Sequence, residues 1–166
     1  MVWSPWEATE SAYPAAGKRA SAAAARYDPR RVRTDTATLT RTPMAQYVDG
    51  FLIPIPKKNL ARYRMMAKLG AKIWKQKGAL EYFECVGDDL TGIGTPFPKR
   101  AATKKDETVV FSWIVYKSRA HRDKVNKEVM KDPRMQRMVA LMKDEKKQPF
   151  DISRMSFGGF KVLVKA

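Results

Sequence analysis

The sequence predicts an α+β domain in the order strand, helix, strand, strand, helix, strand. Three observations carry that reading. Four β-rich segments are separated by helical periodicities, capping residues stand at the helix ends, and the best-defined strands are apolar on both faces.

The segment YVDGFLIPIP (47–56) reads as a first strand, closed by Pro54 and Pro56. In KKNLARYRMMAKLGAKIWKQKG, the residues Leu60, Tyr63, Ala67, Gly70, Ile73 and Trp74 recur at helical spacing with Lys and Arg between them. That pattern is an amphipathic helix, ended by Gly78. GALEYFECVGDD (78–89) is the second strand. Its charged and apolar residues interleave without clean alternation, so it is expected to be covered on both sides. ETVVFSWIVY (107–116) is almost wholly β-branched or aromatic and is the clearest strand. Ser118 is placed to N-cap a second helix, RAHRDKVNKEVMKD, with His121, Val125 and Val129 on one side. Asp132 before Pro133 begins a further short helix with an apolar stripe of Met135, Met138, Val139 and Met142. FGGFKVLVKA at the C-terminus is the fourth strand.

This order is the ferredoxin-like βαββαβ pattern, an antiparallel sheet with its helices on one face. Helices on one face leave the other bare. Yet Val109, Phe111, Trp113 and Val115 alternate with Val110, Ile114 and Tyr116, so both faces of the third strand are apolar. The first strand repeats this, with Phe51 and Ile53 on one side and Val48 and Leu52 on the other. An open antiparallel sheet keeps one polar face. A second copy of the same sheet is the simplest cover, and a face-to-face homodimer is expected.

Residues 1–43 differ in composition from 44–166. AAGKRASAAAARYDPRRVRTDTATLTRTP is rich in Ala, Arg, Thr and Ser and has no sustained apolar period. It is expected to be disordered, or to result from a start assigned upstream of Met44, because it buries too little to offset its ordering entropy. It lacks the apolar run of a secretory signal, and Glu7, Glu10, Asp28 and Asp35 argue against a transit peptide.

The 166 residues carry 33 Lys and Arg against 17 Asp and Glu. Only 7 basic and 4 acidic residues lie in 1–43, which leaves 26 against 13 in the domain. Such an excess favours nonspecific association with polyanions, nucleic acid included. The basic residues are scattered along the chain, so a solvated surface is the simpler expectation. The longest apolar run, VVFSWIV, is too short to cross a bilayer, and a single cysteine fits a reducing, cytoplasmic setting.

The chemistry-bearing residues are few. Glu81 and Glu84 face opposite sides of a strand and do not form a carboxylate pair; Glu81 and Cys85 share a face but lie ~13 Å apart. Glu84 shares its face with apolar neighbours, so it is either a hydrogen-bonding group or general base in a ligand pocket, or a partner in a salt bridge. Cys85 reads as a buried, inert thiol and His121 as a packing residue, although each is a candidate catalytic group beside Glu84. With one His and one Cys there is no ordinary zinc site, and GIG (92–94) is no dinucleotide loop. Neither a metal nor a cofactor is therefore expected.

Trp74 and Trp113 read either as core or, with Tyr82 and Glu84, as the lining of a pocket between helices and sheet for a planar apolar ligand. The loop DLTGIGTPFPKRAATKKDE is long; it reads as an extended arm, with Lys99, Arg100, Lys104 and Lys105 available for an anion.

Four blocks in order, YVDGFLIPIPKKNL, GALEYFECVGDD, ETVVFSWIVYKSRAHRD and VMKDPRM, resemble the YbaA-like family of small bacterial proteins, a domain-of-unknown-function family. The resemblance covers 46–166. It implies the dimeric α/β-barrel superfamily, in which two ferredoxin-like sheets pair. By analogy of fold alone it implies a cofactor-free monooxygenase- or isomerase-like reaction if the protein is an enzyme. Three functional readings follow: a cytoplasmic homodimer binding a small apolar or aromatic ligand, a dimeric structural or regulatory partner without catalysis, and a basic nucleic-acid-associated protein.

Overall fold

The structure is a computed structural model that describes residues 45–144 and 146–165. The extension 1–43 and the start at Met44 lie outside the described residues. Strand β1 is Tyr47–Pro56, followed by a 3-10 turn at Lys57–Asn59 and helix α1, Leu60–Lys77. Strand β2, Glu81–Val86, leads through a one-turn helix α2, Phe97–Arg100, to β3, Glu107–Tyr116. Helices α3, Arg119–Met130, and α4, Pro133–Met142, precede a 3-10 turn at Ile152–Arg154 and strand β4, Ser156–Lys161. The four strands form one antiparallel sheet in the order β2-β3-β1-β4.

Local chemistry explains the boundaries. The strand predicted at 47–56 is present in full and runs through both prolines. Pairing of β1 with β4 ends at Leu52–Ser156, so Pro54 and Pro56 need no N–H on that edge. Gly78 ends α1 with φ 115°, a backbone conformation that side chains other than glycine's strain to adopt. Gly78→Ala is expected to cost about 1 kcal/mol, read as a lower midpoint in thermal unfolding. The Ser118 and Asp132 side chains accept from the amides of His121 and Arg134 and cap α3 and α4.

Several boundaries differ from expectation, and β2 is shorter than the 78–89 strand expected, spanning Glu81–Val86. PFPKRAA is not extended, because Phe97–Arg100 closes into a helical turn with Pro98 at a position that needs no amide. The last strand stops at Lys161, opposite the first residue of β1, with one further bond from the Val162 amide to the Gln46 carbonyl at 2.9 Å; Leu163 and Val164 beyond it are exposed.

Register decides which side chains share a face. Asp49, Phe51 and Ile53 pair with Ile114, Ser112 and Val110, while Tyr82 and Glu84 pair with Ile114 and Ser112. Helices α1 and α3 lie over this face: Tyr63 of α1 contacts Glu84, and Asn126 of α3 contacts Tyr116 and Asp49. Ile53, Ile55, Tyr63, Val110 and Phe150 form the main core cluster. The opposite face carries Val48, Leu52, Phe83, Cys85, Phe111 and Trp113, together with Phe160. No helix in the described residues is long and apolar enough to cross a membrane.

Candidate functional site

Two polar clusters lie between helices and sheet, and an aromatic surface lies on the uncovered face. The first cluster is built on Glu84. As the fourth residue of β2 it points toward α1, where the Tyr63 hydroxyl donates to its Oε2 at 2.6 Å and the Tyr82 hydroxyl to its Oε1 at 2.7 Å. Ser112, directly across the β2–β3 pairing, adds a third hydroxyl. No Lys or Arg among the described residues pairs with Glu84, so the salt bridge weighed for it is replaced by hydroxyl donors. Burial pushes its carboxyl above the usual carboxylate range, although the three hydroxyls pull the other way. Burial and the neighbouring carboxylate push the Tyr63 and Tyr82 phenols upward.

A raised carboxyl pKa means that the folded chain holds the Glu84 proton better than the unfolded chain. The contribution of Glu84 to stability therefore falls as pH rises past the ordinary carboxylate value toward the raised one. Glu84→Gln, which keeps the shape and removes the ionisation, is expected to gain stability relative to the wild type as pH rises through that window. Urea denaturation of both proteins from pH 4 to 8 checks this; a difference that stays flat with pH refutes it.

The second cluster joins three elements. Asp49 of β1 is fully buried, and its Oδ1 lies 3.2 Å from Nε of Arg122, itself 6 % exposed. Those two atoms are out of line for a hydrogen bond, so the contact is an ion pair. Asn126 donates to Asp49 Oδ2 at 3.3 Å and accepts from the Trp74 indole and the Tyr116 hydroxyl, each at 3.0 Å. The Arg122 guanidinium also packs over the Tyr47 ring at 5.1 Å. Burial raises the Asp49 carboxyl, and Arg122 opposes that rise.

The residues expected to line one pocket are divided by the sheet. Trp74, Tyr82 and Glu84 lie together on the helix side, with Trp74 and Tyr82 rings 5.9 Å apart. That space is closely packed, since a methyl group on Gly70 would sit 3.0 Å from the Tyr82 hydroxyl. Trp113 is on the other face, stacked on Phe83 at 4.8 Å. There Phe111 lies 5.3 Å from Trp113 and 5.9 Å from Phe97, making a row of four rings. Phe83, Phe111 and Phe160 remain 42, 45 and 59 % exposed. At one end of this row a cavity of about 260 Å³ is lined by Leu52, Cys85, Leu90, Phe97, Val109 and Phe111, with Asp88 and Asp89 at its edge.

Cys85 is exposed rather than buried, because it stands opposite Phe111 on the face that the helices leave bare. Only one side of β2 is covered by the described chain. His121 packs on Gly78 and Tyr116 and accepts the Lys117 amide on Nδ1 at 3.2 Å. Burial, then Lys117 and Lys124, lower its pKa. Lys99, Arg100, Lys104 and Lys105 are exposed around α2 and the turn before β3. Glu107 holds that turn: Arg154 grips both carboxylate oxygens at 2.6 and 2.7 Å and pulls its carboxyl down to about 2.

Sequence reasoning did not anticipate Asp49, Arg122 and Asn126. The signals were present. Asp49 is an acid inside an apolar strand, and Arg122, Val125, Asn126 and Val129 share one helical stripe.

A family described as "Protein of unknown function (DUF1428)" matches residues 46–152. Relatives named "Uncharacterized protein YbaA", from Escherichia coli strain K12, Escherichia coli O157:H7 and Shigella flexneri, are each 39% identical over 120 residues. The matched region is 72% of this chain and 97% of each relative. The chain belongs to the DUF1428 family, the YbaA-like family that its four sequence blocks resemble.

Proposed function

We propose that the protein is a homodimer that binds a small apolar or aromatic ligand beneath its paired sheets. The sheet order β2-β3-β1-β4 is that expected of a ferredoxin-like fold, and a face-to-face pair of such sheets is the dimeric α/β barrel. The observation that carries the reading is the exposure of Phe83, Phe111 and Phe160 on one sheet face, beside a half-buried Trp113. Contiguous aromatic surface of this kind marks an interface or a ligand groove. A second sheet laid over it would roof the cavity beside Phe97 and Phe111. Apolar side chains dominate that cavity's lining, which favours an apolar ligand, with the Asp88–Asp89 rim available to orient a polar substituent.

Native mass spectrometry of untagged protein from its own cells tests both parts. The expected result is a dimer mass with a retained small-molecule increment. A monomer overturns the reading. A bare dimer keeps the assembly and favours the structural or regulatory reading over ligand binding.

A further inference from the structure

Helix α1 gathers basic residues that look scattered in sequence. From Lys57 to Lys77 there are 8 Lys and Arg and no Asp or Glu. Its apolar side, Tyr63, Gly70, Ile73 and Trp74, is buried against the sheet. Diametrically outward, at four-residue intervals, stand Arg64, Lys68 and Lys72, all exposed, flanked by exposed Lys58 and Arg62. Of the ion pairs among the described residues, only Lys77–Asp132 involves this helix.

This arrangement works against the helix itself. Like charges four apart repel, as in Lys58 with Arg62, Arg64 with Lys68, and Lys68 with Lys72. Cations in and before the first turn oppose the positive helix end, and that turn holds no acid. Nothing in the packing requires either cost. On α3 and after α4, by contrast, exposed lysines are matched locally, Lys131 with Glu128 and Lys147 with Asp144. An acidic partner outside the chain would relieve the repulsion along α1.

We infer that the outer face of α1, with Arg64, Lys68 and Lys72 as its central row, docks the phosphate backbone of a nucleic acid. Successive cations in the row are about 6 Å apart along the axis, close to the step between neighbouring phosphates on one strand. A lipid surface fits less well, since the apolar side of α1 is committed to the sheet and Met65 alone of its large apolar side chains is strongly exposed outward. No aromatic ring stands in the row, so contact is with phosphates and carries little sequence preference. The face lies across the sheet from the aromatic surface and does not depend on the dimer.

The test is fluorescence anisotropy of the full chain on a labelled mixed-sequence 20-base-pair DNA between 50 and 200 mM salt. Two charge-matched variants accompany the wild type: R64Q/K68Q/K72Q and the loop control K99Q/R100Q/K105Q. Each lost phosphate contact is expected to lower the slope of log affinity against log salt by about 0.9. The helix variant should therefore lose between two and three from the slope and at least tenfold in affinity at 50 mM salt, while the loop control loses little. Equal losses in both variants would assign binding to net charge alone and overturn the proposal. So would wild-type binding unchanged by the helix substitutions, no wild-type binding at 50 mM salt, or binding to phosphatidylserine vesicles without binding to DNA. Circular dichroism of each variant confirms that α1 is intact.

Discussion

Replacing Arg122 with methionine is expected to destabilise the domain by about 3–5 kcal/mol, the range for breaking one side of a buried ion pair. The loss comes from what remains behind. Asp49 has no exposed surface, and without Arg122 its carboxylate keeps only uncharged partners, the Asn126 amide at 3.3 Å and the Tyr116 hydroxyl. Asn126 has no freedom to turn toward it, because the same side chain already accepts from Trp74 and Tyr116.

The sign with pH follows from burial. Asp49 already titrates above its ordinary value, and removing the cation raises it further. A group raised in the folded state is protonated at low pH, and its ionisation costs stability as pH rises. The gap between wild type and Arg122→Met should therefore narrow on going from pH 7 to pH 4.5. The double variant Asp49→Asn with Arg122→Met should recover much of the loss, because no unpaired charge stays buried. Denaturant unfolding at the two pH values measures all of this. A gap that does not change with pH would mean that Asp49 is not the group left unpaired.

In the proposed homodimer, replacing Phe111 with glutamate is expected to weaken self-association on the order of a thousandfold, about 4 kcal/mol. Phe111 is one of the two inner rings of the aromatic row and stands directly across from Cys85 and Leu52. In a two-fold pair the substituted residue approaches its own copy or the copy's aromatic neighbours, so each charge is either opposed by a like charge or stripped of water. The protomer should still fold, because Phe111 is 45 % exposed within it. Sedimentation equilibrium gives the dissociation constant. Met65→Glu, on an outward face of α1 and 68 % exposed in the wild type, serves as the control and should leave association unchanged. If Phe111→Glu associates as the wild type does, the aromatic face is not the interface.

Much of the architecture is legible locally. The first strand, the glycine stop at Gly78, and the caps at Ser118 and Asp132 depend on residues within a few positions of one another. Alternation along β3 likewise places Phe111 and Trp113 on one face and Val110, Ile114 and Tyr116 on the other. A strand apolar on both sides is a matter of composition, which is read directly from the residues. PFPKRAA misled because proline favours extended structure and the first turn of a helix alike.

The sites needed long-range register. Sequence alone shows Glu84 as a costly carboxylate beside Tyr82, but its other two partners are 21 residues away on α1 and directly across the sheet on β3. Only the rotation of α1 over β2 brings the Tyr63 hydroxyl to it. Cys85 reads as buried because its neighbours are apolar, whereas the uncovered sheet face leaves it exposed. Trp74 and Trp113 read as one aromatic lining until pairing puts a sheet between them. The sequence by itself determined the four strands, the longer helices, their order and the excess of apolar strand surface, since those follow from periodicity and caps. Tertiary structure alone decided which polar groups meet and which apolar face stays open, because both depend on strand register and helix rotation between residues far apart in the chain.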